Sequence, residues 1–453
     1  MLLFLFNLFL LISPPERSFP ISEIHISGNE VTQDFIILRE IPIQPGDLVS
    51  KSRLDYYKDR IYSLGLFTRV DYQLDSLKTG FRLKFTVHER WFWLVYPTIN
   101  FKTQDRAKPW DVSEWNDLTY GFRAFHNNIL GRQISMMISG QNGYSQGLGI
   151  RFSDPNIFLN TNILVWTGLN YSKGAAKNKF EDSNPDAAND ENFGVNLGAG
   201  YRFNPYTIFA ATWNYRMISV PGVLSDSSLD VLLNNKKRKD LISGLITSFS
   251  IDARNSIEFA TEGFFSNTEL RLNRESGTGQ FYGGLRLDKR AYLQLSDWVT
   301  FAGLISYETG LGSFIPFYEH LLTGRDEYLR GYQSTILEST KRWVFRSELR
   351  HQVFEPRVTE LSWIPVKQFK DFRWGLYALA FSDVGYLNKP HKKYAGLNNY
   401  IRTQNLGSYY DRFLYSGGFA LNLLLPYSLV LKGELAFIPN GKPTFWIMTG
   451  RAF

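Results

Sequence analysis

Arg330 is the residue whose setting points most directly to a chemical role. It stands in "GRDEYLRGYQ" (Gly324–Gln333), followed at once by Gly331 and Tyr332, in a long polar stretch between two alternating runs. A guanidinium offers a planar fork of donors that fits a carboxylate. Glycine beside it lets the backbone turn tightly or approach another surface closely. The chemistry on offer is recognition, an arginine aimed at fixed carboxylates; the plain alternative is a solvated loop. Alternation makes one carboxylate readable. Around "FRSELR", Arg346, Glu348, Arg350 and Gln352 share one strand face while Phe345, Leu349 and Val353 share the other, so Glu348 points to a polar side. Asp383, in "FSDVG", follows "LYALAF", where both faces are apolar, and alternation alone does not place it.

Other chemistries find no support. The 6 histidines are scattered without metal-ligand spacing such as H-E-x-x-H. No G-x-S-x-G elbow or phosphate-cradling glycine loop stands out. With 0 cysteines there is no disulfide framework and no thiolate metal site. The net charge of +7 is modest for the length, and "NNKKRKD" (Asn234–Asp240) suits a hairpin end or lipid headgroups better than nucleic acid. The expectation is a protein without an active site, metal or cofactor, and with no nucleic-acid partner.

The elements that must position Arg330 read as strands. In "FGVNLGAGYRF", Phe193, Val195, Leu197, Ala199 and Tyr201 oppose Gly194, Asn196, Gly198, Gly200 and Arg202. "LVLKGELAF" sets Leu429, Leu431, Leu435 and Phe437 against Lys432 and Glu434. One apolar and one polar or glycine face, repeated with aromatics near the strand ends, is the pattern of strands between lipid and a wet interior. A soluble β-sandwich also alternates, but the number and length of these runs count against it. From residue 91 to 453 they amount to about 16 strands, at about 9–11 residues each, which must close because an unpaired edge in hydrocarbon is costly. That count puts Arg330 between the eleventh strand and the twelfth, which carries Glu348; Asp383 falls on the thirteenth.

Ahead of them, residues 21–90 read as a small α/β unit in the order strand, helix, helix, strand, strand. "ISEIHISGN" ends at a Gly28-Asn29 turn, and "SKSRLDYYKDRIYSLG" places Leu54, Tyr57, Ile61 and Leu64 on one helical face, with Gly65 at the C-terminal cap. The apolar run "MLLFLFNLFLLIS" is too short to span a bilayer as a helix. It resembles the core of a secretory signal peptide, giving a leader-like segment over residues 1–20.

The α/β unit, with its "SLGLF" junction, resembles a POTRA domain, the periplasmic module of the BamA superfamily of outer-membrane assembly proteins. "YLRGYQ" resembles that superfamily's signature in the sixth extracellular loop, which folds back into the barrel. "SIDARN", leading into "TEGFFSNTEL", resembles its Asp-x-Arg element, here Asp252 and Arg254, and the glycine before the next strand, Gly263. The resemblance implies a mainly β fold, one POTRA (21–90) before a transmembrane barrel (91–453), with Arg330 held inside by Glu348 and Asp383. It implies an outer-membrane location with the POTRA domain in the periplasm. Unfolded outer-membrane clients, outer-membrane lipid, and accessory periplasmic or lipoprotein subunits would be its partners.

The resemblance further implies insertion of β-barrel clients, by strand addition at a lateral gate between the first strand, with Trp93 and Val95, and the last. Phe453 resembles an outer-membrane targeting signal, and Gly450 resembles the kink glycine of assembly proteins; glycine within a strand weakens pairing in any case. Two alternatives stand beside this reading. One is a two-partner secretion translocator, which shares the loop motif but usually carries two POTRAs and a plug helix. The other is a passive solute porin, which needs neither the POTRA nor the loop.

Overall fold

The computed structural model describes residues 17–101, 118–158, 161–175, 189–219, 239–324, 329–333, 337–391, 401–402, 405–439 and 441–450. The first sixteen residues of the leader-like segment, most of "NNKKRKD", and Phe453 lie outside them. The remainder of that segment already belongs to structure, since β1 spans Ser18–Ser27.

The N-terminal unit is a four-stranded sheet, in the order β2-β1-β4-β3, covered by two helices. Here β1 is followed by α1 (Asp34–Leu38), β2 (Leu48–Ser50), α2 (Lys51–Ser63), β3 (Phe67–Leu77) and β4 (Gly80–Glu89). The three-residue β2 is an addition to the expected order. It pairs only with Ser18 to Pro20 of β1, and at that length it carries no alternation to read. α2 begins where Ser50 Oγ accepts from the Arg53 backbone N–H. Gly65, at φ +72°, follows its last turn, as the sequence suggests. Leu54, Tyr57 and Ile61 face Leu83, Phe85 and Val87 in one apolar core. Each such side chain contributes about 1.5–3 kcal/mol when fully buried.

The rest of the chain builds a single 16-stranded sheet, every strand bonded to its sequence neighbours. The short hairpin Leu321–Thr323 with Leu337–Ser339 is inserted after the eleventh strand, Val299–Leu311. The pattern read from the sequence is visible in the exposure. Phe193, Leu197, Tyr201, Leu429 and Phe437 lie exposed on the outer face, whereas Lys432 and Glu434 are buried inside. An apolar exterior repeated on strand after strand, including Trp213, Phe249, Trp343, Phe419 and Ile447, is far more than a monomer in water tolerates.

Several strand connections turn back toward the N-terminal unit, which spans the mouth they form. Gln33 donates its backbone N–H to the Gly131 carbonyl at 2.9 Å. Tyr56 Oη donates to the Ala253 carbonyl at 3.3 Å. Arg60 donates to the carbonyls of Asp252 and Pro205 at 3.0 and 3.1 Å. On the opposite side Thr68 Oγ1 and His88 Nδ1 meet Asp371 at 3.0 and 2.8 Å, and Arg90 lies 5.4 Å over the Tyr427 ring. A buried Arg60–Glu40 ion pair of 2.7 Å backs these contacts.

Candidate functional site

Two chain segments enter the sheet's interior from opposite ends, and the candidate site is where they meet. From the far end comes the loop with Leu329, Arg330, Gly331 and Tyr332, all inside; Arg330 is 2% exposed. Its Nε and Nη2 donate to the two oxygens of Asp383 at 2.8 and 2.5 Å, the bidentate geometry that only a guanidinium matches. Nη1 donates to Glu348 Oε1 at 2.6 Å. The guanidinium carbon stands 3.8 Å over the Phe381 ring, a desolvated cation–π contact.

The neighbours of Arg330 explain the tripeptide. Gly331 adopts φ +86°, and a Cβ there would come within 2.5 Å of Ile438 Cγ2. Only glycine combines that backbone with that space. Tyr332 Oη donates to the Tyr415 carbonyl at 3.1 Å and its ring meets Tyr409 edge-on.

Both carboxylates come from adjacent strands in register. On the twelfth strand (Lys341–Glu360) Arg342, Val344, Arg346, Glu348 and Arg350 all face inward and are buried. On the thirteenth (Asp371–Leu387) the inward residues are Tyr377, Leu379, Phe381 and Asp383. Asp383 pairs with Arg346, and Phe381 with Glu348. The sequence left Asp383 unplaced because this interior stretch is apolar. The reason is now physical: it is not wetted, since the loop and the opposite turn pack on it.

That turn is the segment sequence reasoning missed. Residues 253–262, between the eighth strand (Lys239–Asp252) and the ninth (Gly263–Glu275), fold inward from the N-terminal unit's side. Phe259, 4% exposed, reaches across to Tyr377, Leu424 and Val430. Asp252 and Arg254 shape the turn: Arg254 Nε and Nη2 donate to the Asp252 carboxylate at 2.9 and 2.8 Å. Asn255 Oδ1 accepts from the backbones of Thr261 and Glu262. Gly263, at φ +97°, closes it against the Ala253 carbonyl, where a Cβ would come to 2.0 Å. The available signal was the apolar "IEFA" inside what otherwise reads as a polar connection.

The remaining candidates lie elsewhere. Trp93 and Val95 are 60% and 68% exposed on the outer face of the first strand (Trp93–Phe101). Gly450 ends the sixteenth (Thr444–Gly450), opposite Val430. Among the described residues the first strand bonds only to the second and the sixteenth only to the fifteenth. No three His, Asp or Glu side chains among the described residues are grouped to hold a metal ion.

Comparison with known proteins places this geometry. Residues 128–441 match the family model described as the Omp85 superfamily domain. Residues 19–90 match the POTRA model, described as a surface antigen variable number repeat. Among solved structures, the crystal structure of BamA from Haemophilus ducreyi lacking POTRA domains 1-3 aligns with TM-score 0.52 at 16% identity, over 95% of this chain and 84% of that one. CdiB from Escherichia coli aligns with TM-score 0.53 at 13% identity, over 96% and 76% of the two chains. At such identities the likeness is one of fold.

Proposed function

The chain belongs to the Omp85 superfamily, and we propose that within that superfamily's work of membrane-protein biogenesis and translocation it passes polypeptide through its own interior. It is an outer-membrane β-barrel protein with its POTRA domain in the periplasm, and it works without catalysis. The observation that carries the finer reading is how the interior is filled. A loop enters from outside and a turn from the periplasm, each held by buried ion pairs or hydrogen bonds together with its own small apolar cluster, around Leu329 and Tyr332 and around Phe259, rather than by one continuous core. Elements held this way can be withdrawn. This is the behaviour of a two-partner secretion type translocator, which the sequence ranked second.

The sequence's first reading, insertion by strand addition at a lateral gate, is supported by the seam. Gly450 lies on the sixteenth strand opposite Val430, where glycine weakens pairing. A passive porin fits poorly, because the POTRA domain spans the periplasmic mouth. Under either protein-handling reading the partners are unfolded outer-membrane or secreted polypeptides and the surrounding lipid, with accessory periplasmic or lipoprotein subunits a further expectation. Barrel closure between the first and sixteenth strands is part of the proposal.

A sealed seam separates the readings. The native chain has 0 cysteines, so one cysteine within residues 92–99 and one within 444–450 can be screened for oxidation. Activity is read as the outer-membrane and secreted proteome of cells that depend on the variant. Passage through the interior predicts full activity in the verified cross-link. Loss of activity that reduction restores would overturn it in favour of strand addition.

A further inference from the structure

Arg350 has the largest side chain that is fully buried among the described residues. It lies on the interior face of the twelfth strand, where the loop and the periplasmic turn meet. Toward the loop, its Nε and Nη2 donate to Glu348 Oε2 at 2.8 and 2.7 Å, while the other oxygen of that carboxylate accepts from Arg330. Toward the turn, Nη1 donates to the Ala260 carbonyl at 2.8 Å. The guanidinium also stacks 4.5 Å over the Phe259 ring and 5.4 Å from that of Tyr292. A buried guanidinium is costly unless both its charge and its donors are matched. Here the matching groups are the turn's Ala260 carbonyl and Phe259 ring and, on the same strand, Glu348, the carboxylate that also binds the loop's Arg330.

The turn carries the connection on to the POTRA domain. The Ile257 backbone N–H donates to Ser63 Oγ of α2 at 3.2 Å, and the Ala253 carbonyl accepts from Tyr56 of the same helix. Glu258 Oε1 accepts from Arg373 Nη1 at 2.6 Å, and Arg373 lies 4.0 Å over the Tyr62 ring. An unbroken run of contacts therefore joins α2, the turn, Arg350, Glu348 and Arg330.

We propose that Arg350 is a positioning residue that couples seating of the POTRA domain to locking of the loop, so that release of either loosens the other. The inference rests on the interior being the passage, although its measurements need no substrate. When the domain lifts, the turn loses Ser63 and Tyr56, and Phe259 and Ala260 withdraw from Arg350. The guanidinium then loses the Ala260 acceptor and the Phe259 ring and leans more heavily on Glu348, the carboxylate that also orients Arg330. One carboxylate serving two arginines transmits the change. Linkage makes the effect reciprocal: unlocking the loop favours release of the domain by the same factor.

Hydrogen exchange of the detergent-solubilised full chain tests this. In the wild type, residues 253–262 and 329–333 should open as one cooperative unit with a common dependence on mild denaturant. Arg330→Ala should raise exchange in α2, a helix it does not touch, by about tenfold. In an Arg350→Met background the same substitution should change α2 no further, the signature of coupling through that residue. If Arg350→Met does not fold, Phe259→Leu serves, because it removes the ring beneath the guanidinium and leaves both ion pairs. A disulfide joining positions 63 and 257, after Ser63→Cys and Ile257→Cys, should slow exchange at 329–333. Separate opening of the two segments in the wild type overturns the proposal by itself, as does an Arg330→Ala effect on α2 that is equal in both backgrounds. Coupled exchange in a protein whose sealed seam abolishes activity would keep the coupling and remove the passage reading.

Discussion

Leu329 occupies the space that Gly385 leaves free on the interior wall: a Cβ at Gly385 would stand 2.8 Å from Leu329 Cδ2. The loop tip is therefore seated by shape as well as by charge. Gly385→Val should displace Leu329 and loosen the lock, at about 1–3 kcal/mol for overpacking a filled site. Limited proteolysis in the 329–333 region is the measurement, with faster cleavage than wild type expected. Unchanged resistance would mean that the ion pairs alone hold the loop.

Arg330→Ala takes the guanidinium from both Asp383 oxygens and from one oxygen of Glu348, leaving Asp383 with Arg346 at 4.0 Å, at a cost of about 3–5 kcal/mol. Arg330→Lys should also fail to lock, since an ammonium cannot donate to both Asp383 oxygens and Glu348 at once. Both variants should show a protease-sensitive loop and lose function. Wild-type resistance and activity in the two would return the loop to a surface role.

Arg60 ties α2 to Glu40 and to the carbonyls of Asp252 and Pro205. Arg60→Ala leaves the Glu40 carboxylate, 3% exposed, to the longer 3.4 Å pair with Arg39, and removes donors from two mouth turns. The POTRA domain should unseat more often. In planar bilayers the variant is expected to show more frequent or longer open events than the wild type. Identical traces would place the closure of the interior on the loop and turn alone.

Asp59 on α2 supplies a pH dependence. Burial against the barrel pushes its carboxyl up from 3.8 to about 6, a shift opposed by Arg373 and Lys58 and reinforced by Asp55 and Glu258. For an acid raised in the seated state, seating is favoured fully below the ordinary value and weakens as pH climbs through about 6. Exchange protection of α2 should therefore fall between about pH 4 and 6 and then level off. Asp59→Asn should remove that step; a step of the same size in this variant assigns it to another group.

Closure makes a further prediction. A barrel whose first and sixteenth strands pair should run compactly on a gel when unheated and shift on boiling. A chain that stays soluble without detergent would contradict a membrane barrel altogether.

How much of this was legible depended on whether a residue's face could be inferred locally. Glu348 was placed by alternation because its strand keeps Phe345 and Leu349 outside and charges inside. Asp383 escaped, since Tyr377, Leu379 and Phe381 face a packed interior and look like lipid-facing positions. The strand count and the ranks of the eleventh to thirteenth strands agreed with the structure because period-two patterning is a property of each strand alone. The inward fold of Phe259 and Ala260 is a long-range event, set by Tyr377, Leu424 and Val430 more than 100 residues downstream. Arg350 was visible as an inward residue, but its partners on that turn were not.

The seating of the POTRA domain is uneven around the mouth. It bonds to the turns at Gly131, Pro205, Ala253 and Asp371 and stacks at Tyr427. Among the described residues, Asp297 and Trp298, in the turn joining the tenth and eleventh strands, make no bond to it. A lengthened connection at any tethered turn would act as a wedge beneath the domain. At Asp297–Trp298 the same insertion would hang free. That corner offers a handle: a dye or affinity tag placed there can report on the rim without prising it open.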